Sequence, residues 1–227
     1  MRTFGSLAAA AVAAFCACGA AHALTGPEVA AKVYEVSKAT DDSYAGFDAD
    51  VIQIVADGEG KEMVRVTGRV YFTKPDTQRF EITEYIKDGK KQPIPKDDEK
   101  KDDDDKFEFK GPFDEKYFNS YTFTLEGTEE VTGVPCYKVG FAAPGKGEGF
   151  AYGAVWVATD DFRTIKTTGK PYVQPKSCTA SSMTVFFRDA GGRAMPYKQV
   201  IYVKGSFLKV ITKEMWITSY VTDYSFH

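Results

Sequence analysis

The stretch Gly68–Glu81, GRVYFTKPDTQRFE, decides how the chain is read. Val64, Val66, Gly68, Val70 and Phe72 fall at every second position over residues 62–73, so they share one face of an extended strand. Lys74-Pro75 then ends the run, because proline presets a turn and cannot donate to a ladder. Phe80, Ile82 and Ile86 resume the alternation over 79–86. Two adjoining strands thus present large apolar groups, and the question is what those groups face.

Working outward, the same period recurs. Strands are expected at 47–56, 120–126, 134–142, 149–158, 162–168, 183–188, 197–204 and 207–217, punctuated by Gly, Pro, Asn and Asp at hairpin spacing. The first of these ends in the turn Asp57-Gly58-Glu59-Gly60. One segment breaks the rule. Thr25 and Glu28 have capping-box spacing, Pro27 suits a first turn, and Val29, Val33 and Val36 recur at i, i+4, i+7. That predicts one amphipathic helix over 26–38. About ten antiparallel strands in one sheet curl, close or split in two.

Residues 1–23 have the features of a secretory signal peptide. Arg2 precedes an apolar run of small residues, and Ala21-His22-Ala23 supplies a cleavage signature, so export and a domain over 24–227 are expected. Lipid anchoring at Cys18, within FCAC, is the minor alternative. Cleavage leaves Cys136 and Cys178, for which an oxidising compartment favours a disulfide; two separate thiols are the other reading. Residues 88–106 are charge-dense and without apolar periodicity, as in a solvated, flexible loop, and they lack EF-hand spacing.

The chemistry that the chain omits is informative. Beyond residue 23 the sole histidine is the last residue, His227, so histidine-dependent nucleophilic catalysis and a histidine zinc site have little to build on. There is no P-loop, GxGxxG or GxSxG; APGKGEGF, residues 143–150, lacks Walker spacing. Asp160-Asp161 reads as a hairpin turn. The net charge of −3 shows no basic footprint for nucleic acid. No enzyme, cofactor or metal is expected. By contrast, GFAYGAVWVAT, 149–159, is apolar on both faces: Phe150, Tyr152, Ala154 and Trp156 on one, Ala151, Gly153, Val155 and Val157 on the other. Either both sides are packed, as in a sandwich, or one lines a ligand cavity.

At this point GRVYFTKPDTQRFE resembles the signature of the LolA/LolB-like family, periplasmic carriers and outer-membrane receptors of bacterial lipoproteins. The shared pattern comprises Gly68, Val70, Tyr71, Phe72, Lys74, Pro75, Arg79 and Phe80. The order of helix, strand and Gly-containing turn over 26–60 fits as well, and GAVWVATDDFRTIK, MPYKQVIYVKG and TSYVTDYSF resemble later strands. The resemblance implies a mainly β fold: a highly curved, unclosed antiparallel β-barrel, with the helix packing on the open face. It also implies a cavity for acyl chains, lined here by residues such as Val66, Val70, Phe72, Phe80, Ile82, Phe123 and Trp156. Lys74 matches the basic residue that holds the family's lid shut, with Arg79 beside it. The expected partners are lipid or lipoprotein acyl chains and a membrane-bound donor or receptor protein. A regulatory or protein-interaction module of the same fold is the alternative.

Overall fold

The computed structural model describes residues 24–75, 77–95, 110–174, 178–207 and 211–227. The fold is mainly β. Helix α1 (Gly26–Asp42) is followed by β1 (Gly46–Asp57), β2 (Glu62–Thr73), β3 (Thr77–Lys87) and a two-residue β4 (Lys90–Lys91). Then come β5 (Thr122–Val131), β6 (Val134–Ala142), β7 (Ala151–Ala158), β8 (Thr164–Pro171), β9 (Cys178–Asp189), β10 (Ala194–Phe207) and β11 (Ile211–Phe226). All eleven form one antiparallel sheet in the order β4-β3-β2-β1-β11-β10-β9-β8-β7-β6-β5. The sheet curves without closing, and α1 packs against it, as the sequence led us to expect.

Local differences from the sequence reading have physical causes. The helix continues four residues beyond 38, because nothing in Ala39-Thr40-Asp41-Asp42 stops it before the Ser43 cap. A polar continuation carries no apolar period to read. The last strand starts after 210 and runs to Phe226, nine residues past the expected end. The eleventh strand, which the pattern did not show, is β4. Lys90–Lys91, inside the expected charged loop, pairs back on β3. Residues 1–23 and 96–106 lie outside the described residues.

Strand registers sort the side chains into two faces. Val139, Val155, Thr167, Val185, Gln199, Ser219, Gln53, Val66 and Tyr85 stand opposite one another in a single row from β6 round to β3. This row marks the inner face, because Val29 and Val33 of α1 bury against Val139, Val155 and Val157. Phe123 and Leu125 of β5 pack at the border of the same core. The intervening residues face outward.

Two devices hold the start of α1 in place. The Thr25 side chain and Glu28 form the capping box, satisfying donors that the first turn leaves open. Gly26 lies against the β5 backbone, where a β-carbon would come within 2.5 Å of the Leu125 nitrogen. Replacing Gly26 by leucine therefore forces the helix off β5. We expect a loss of about 1–3 kcal/mol, measured by urea unfolding, with β content unchanged in circular dichroism.

Candidate functional site: a cleft beneath the helix end

The C-terminal half of α1 leaves the core over β5–β7 and stands above the opposite part of the inner face. Beneath it is a cleft of about 370 Å³, within the roughly 300–1,000 Å³ range of small-ligand pockets. Val36, Thr40 and Asp41 form its roof; Tyr44, Phe47, Phe72 and Tyr224 form one wall, and Phe187, Met195 and Pro196 another. The wall is aromatic because registers and turns converge there. Phe47 pairs with Phe72 on β2 and with Phe226 on β11. Ring centroids are 5.3 Å apart for Phe47 with Phe72, 5.3 Å for Phe47 with Tyr224, and 5.5 Å for Tyr44 with Phe226.

The helix end over this cleft is electrostatically awkward by itself. Its last turn carries Asp41 and Asp42 and no basic residue, and its final carbonyls lack intrahelical donors. Two cations from remote turns correct this. Lys74, after β2, donates to the Asp41 carbonyl oxygen and lies 3.1 Å from the Asp41 carboxylate. Its ammonium also sits 4.3 Å from the Tyr44 ring centroid. Arg193, between β9 and β10, donates Nε to Ser43 Oγ at 2.8 Å and Nη2 to the Ser43 carbonyl oxygen at 3.0 Å. The same guanidinium covers Phe226 at 4.4 Å. Asp41 is the one carboxylate among the residues lining the cleft, and Lys74 engages it.

Not all residues singled out in the sequence gather here. Phe72 lines the cleft; Val66 and Val70 share its face farther along β2. Phe123 lies in the core between α1 and β5, stacking on Phe113 and Phe118. Phe80 and Ile82 pair with Val70 and Gly68 on the same face. They line a separate recess at the sheet edge with Gln78, Ile94 and Pro95. Trp156 is a correction. It alternates with Val155 and Val157, so it faces outward, in a small cluster with Cys136, Ala154, Ala158 and Ile165. Its indole N–H donates to Glu129. Arg79 also faces outward, 4.3 Å over the Tyr71 ring, and does not reach the helix.

The Cys136–Cys178 bridge is not formed, and both thiols are free. Cys136 is buried on β6, three strands away from β9. Phe186, not Cys178, lies at the level of Trp156 and Lys166, so Cys178 stands well along β9 from Cys136. A bridge needs α-carbons within about 7 Å. Burial raises the pKa of the Cys136 thiol. Conversely, Arg193, Tyr44 and Tyr224 were not legible in the sequence. A glycine-rich turn gives no signal for an arginine's target, and only the alternation of Tyr224 with Phe226 hinted at a continuing strand.

No protein-family model matches the sequence, and no curated protein matches it significantly. Solved structures give a different result. The chain is similar to LolA superfamily proteins. One such protein, from Nitrosomonas europaea, is 13% identical with a TM-score of 0.46, over 90% of this chain and 94% of that one. A DUF1329 family protein from Desulfovibrio piger is 10% identical with a TM-score of 0.49, over 87% and 92%. An outer membrane lipoprotein-sorting protein domain from Vibrio parahaemolyticus is 11% identical with a TM-score of 0.46, over 89% and 92%. Likeness this distant says nothing of ligand or partner.

Burial, then the nearby Asp41 charge, pushes the Tyr44 hydroxyl up to about 12 from its ordinary 10.0. Burial raises Tyr224 as well. A folded-state pKa above the unfolded one means that the neutral phenol is favoured by folding. This contribution is complete below pH 10 and fades as pH rises toward 12. Tyr44→Phe is therefore expected to unfold less steeply with pH across that window than the parent chain, as measured by urea midpoints from pH 8 to 12.

Proposed function

We propose that this is an exported, periplasmic binding or carrier protein for a lipid or the acyl group of a lipoprotein, working in lipid or lipoprotein sorting toward an outer membrane. The observation that carries the reading is the continuity of the aromatic cleft with an inner face that α1 leaves uncovered, apolar on either side of one polar row, Thr167, Gln199, Ser219 and Gln53. Val64, Val66, Val185, Ile201, Val203 and Ile217 are half-buried on that face, with no described element over them. An acyl chain entering under the helix end would exclude water from both, at about 0.8 kcal/mol per methylene. Specificity would come from length and curvature rather than from hydrogen bonds, since the wall offers few polar groups.

In this reading Lys74 acts as the clamp of the lid, with Arg193 as its partner. Release of Asp41 and Ser43 would let the helix end rise, while Val29 and Val33 keep its first half docked. A membrane-bound donor or receptor protein is the natural trigger for such release. Lys74→Ala and Arg193→Ala are each expected to weaken the helix end by about 1 kcal/mol. Hydrogen exchange should report this as lost amide protection confined to the last turns of α1 and residues 43–46.

Uptake of a fluorescent long-chain fatty acid tests the binding itself. The parent protein should bind it and release it to unlabelled acylated peptide. Phe72→Ala should weaken binding roughly 10–100-fold, the worth of one buried aromatic side chain. Val66→Asp should abolish binding, because it places an unpaired carboxylate in the apolar path. Failure of the parent protein to take up any acyl probe would move the assignment to the protein-interaction module of this fold.

A further inference from the structure

The outer face carries a pattern that the acyl-binding reading does not use. Lys138, Trp156, Lys166, Phe186, Lys198 and Tyr220 stand opposite one another in one row from β6 to β11. Cations and rings alternate along it. Lys166 lies 4.2 Å from the Trp156 ring and 5.7 Å from the Phe186 ring. Lys198 lies 5.9 Å from Phe186 and 5.6 Å from Tyr220. Ile52 continues the row on β1, and it is exposed, as are Tyr220 and Trp216.

The charge on this face runs against that of the chain. The chain is acidic overall, at −3. Among the described residues of β7–β11, however, Lys166, Lys170, Lys198 and Lys204 point outward against a single carboxylate, Glu214. Glu214 is taken by Lys204 at 2.8 Å. Lys166 and Lys198 have no carboxylate partner among the described residues; their contacts are with rings. The row lies on the convex side of the sheet, and the groove beside it, between Tyr152, Thr168, Lys170, Ser182 and Thr184, lies off the line of rings and lysines. Exposed Trp and Tyr beside long-stemmed lysines suit the headgroup layer of a bilayer, where rings sit at the interface and ammonium groups meet phosphate.

We propose that the outer face of β8–β11, with the adjoining β1, docks on the anionic phospholipid surface of a membrane. Trp216, Tyr220 and Ile52 enter the interfacial layer while Lys166 and Lys198 pair with phosphates. The two faces of one sheet then divide the work: the inner face is free toward solvent while the outer one is against lipid. The proposal rests on the row itself and not on the acyl-binding reading.

Sedimentation of the purified protein with vesicles tests it. Vesicles of phosphatidylethanolamine and phosphatidylglycerol should carry the protein down, and vesicles of phosphatidylcholine alone should not. Binding should weaken with added salt. The double variant Lys166→Gln/Lys198→Gln should lose about 25-fold in affinity, roughly fivefold per lysine, with its circular dichroism unchanged. Trp216 is exposed and Trp156 buried, so a blue shift on binding should disappear in Trp216→Phe and leave Trp156 emission as the reference. Val66→Asp, on the inner face, should still sediment, which separates this docking from acyl capture. No sedimentation with anionic vesicles, or sedimentation indifferent to loss of both lysines, would overturn the proposal. So would retention on soluble polyglutamate without vesicle binding, which would assign the face to an acidic protein.

Discussion

The pairing of β1 with β11 is the contact on which the rest of this structure depends. It joins two runs of consecutive hairpins, β1–β4 and β5–β11, into one sheet, and it brings the start of β1 against the chain's last residues. The Ala45 and Gly46 amides donate to the His227 carbonyl, and the Lys74 amide donates to the Ala45 carbonyl. Those bonds fix where α1 must end. Its other end is fixed at β5, where Gly26 meets Leu125. The helix is about 25 Å long, whereas the seven strand spacings from β5 to β1 would measure about 34 Å in a flat sheet. The helix is thus a chord across the curve. Curvature, helix position and the cleft beneath the helix end are consequences of one register.

The chord also explains why the two halves of α1 differ. The first half sits on Val139, Val155 and Val157 and is fully buried at Val29 and Val33. The second half bridges an open trough and cannot gain comparable apolar contact. It is held by charge and hydrogen bonding instead, through Lys74 and Arg193, at a terminus whose own acids and dipole oppose it. Apolar packing is not easily reversed, while exposed charge contacts are weak singly and sensitive to a competing partner. The two ends of the helix are thus held by different kinds of contact.

Much of this was legible in the sequence, for reasons that can be named. Alternation put Val66, Val70 and Phe72 on one face of their strand and Phe80 and Ile82 on one face of the next, because a period of two is a direct consequence of the pleat; that the two faces are the same came from the family resemblance. The capping box placed the helix start. Alternation does not say which of two apolar faces looks inward, and this is how Trp156 came to be grouped with residues on the other side of the sheet. Pairing between distant strands is equally invisible, so neither the separation of Cys136 from Cys178 nor the reach of Arg193 to Ser43 could be read. The Lys74 contact could be anticipated only from likeness to a family motif, since a lysine before proline in a turn has no intrinsic target.

In the proposed function, the cleft and the uncovered inner face hold an acyl chain. Native mass spectrometry of the protein, released gently from the exporting cell and kept from detergent, tests it most directly. Acyl binding there should appear as a bound species that leaves on collisional activation and is recovered by organic extraction as a lipid or an acylated peptide, and that is missing from Val66→Asp. A single apo mass for the parent protein, unchanged after incubation with acyl ligands, would contradict it.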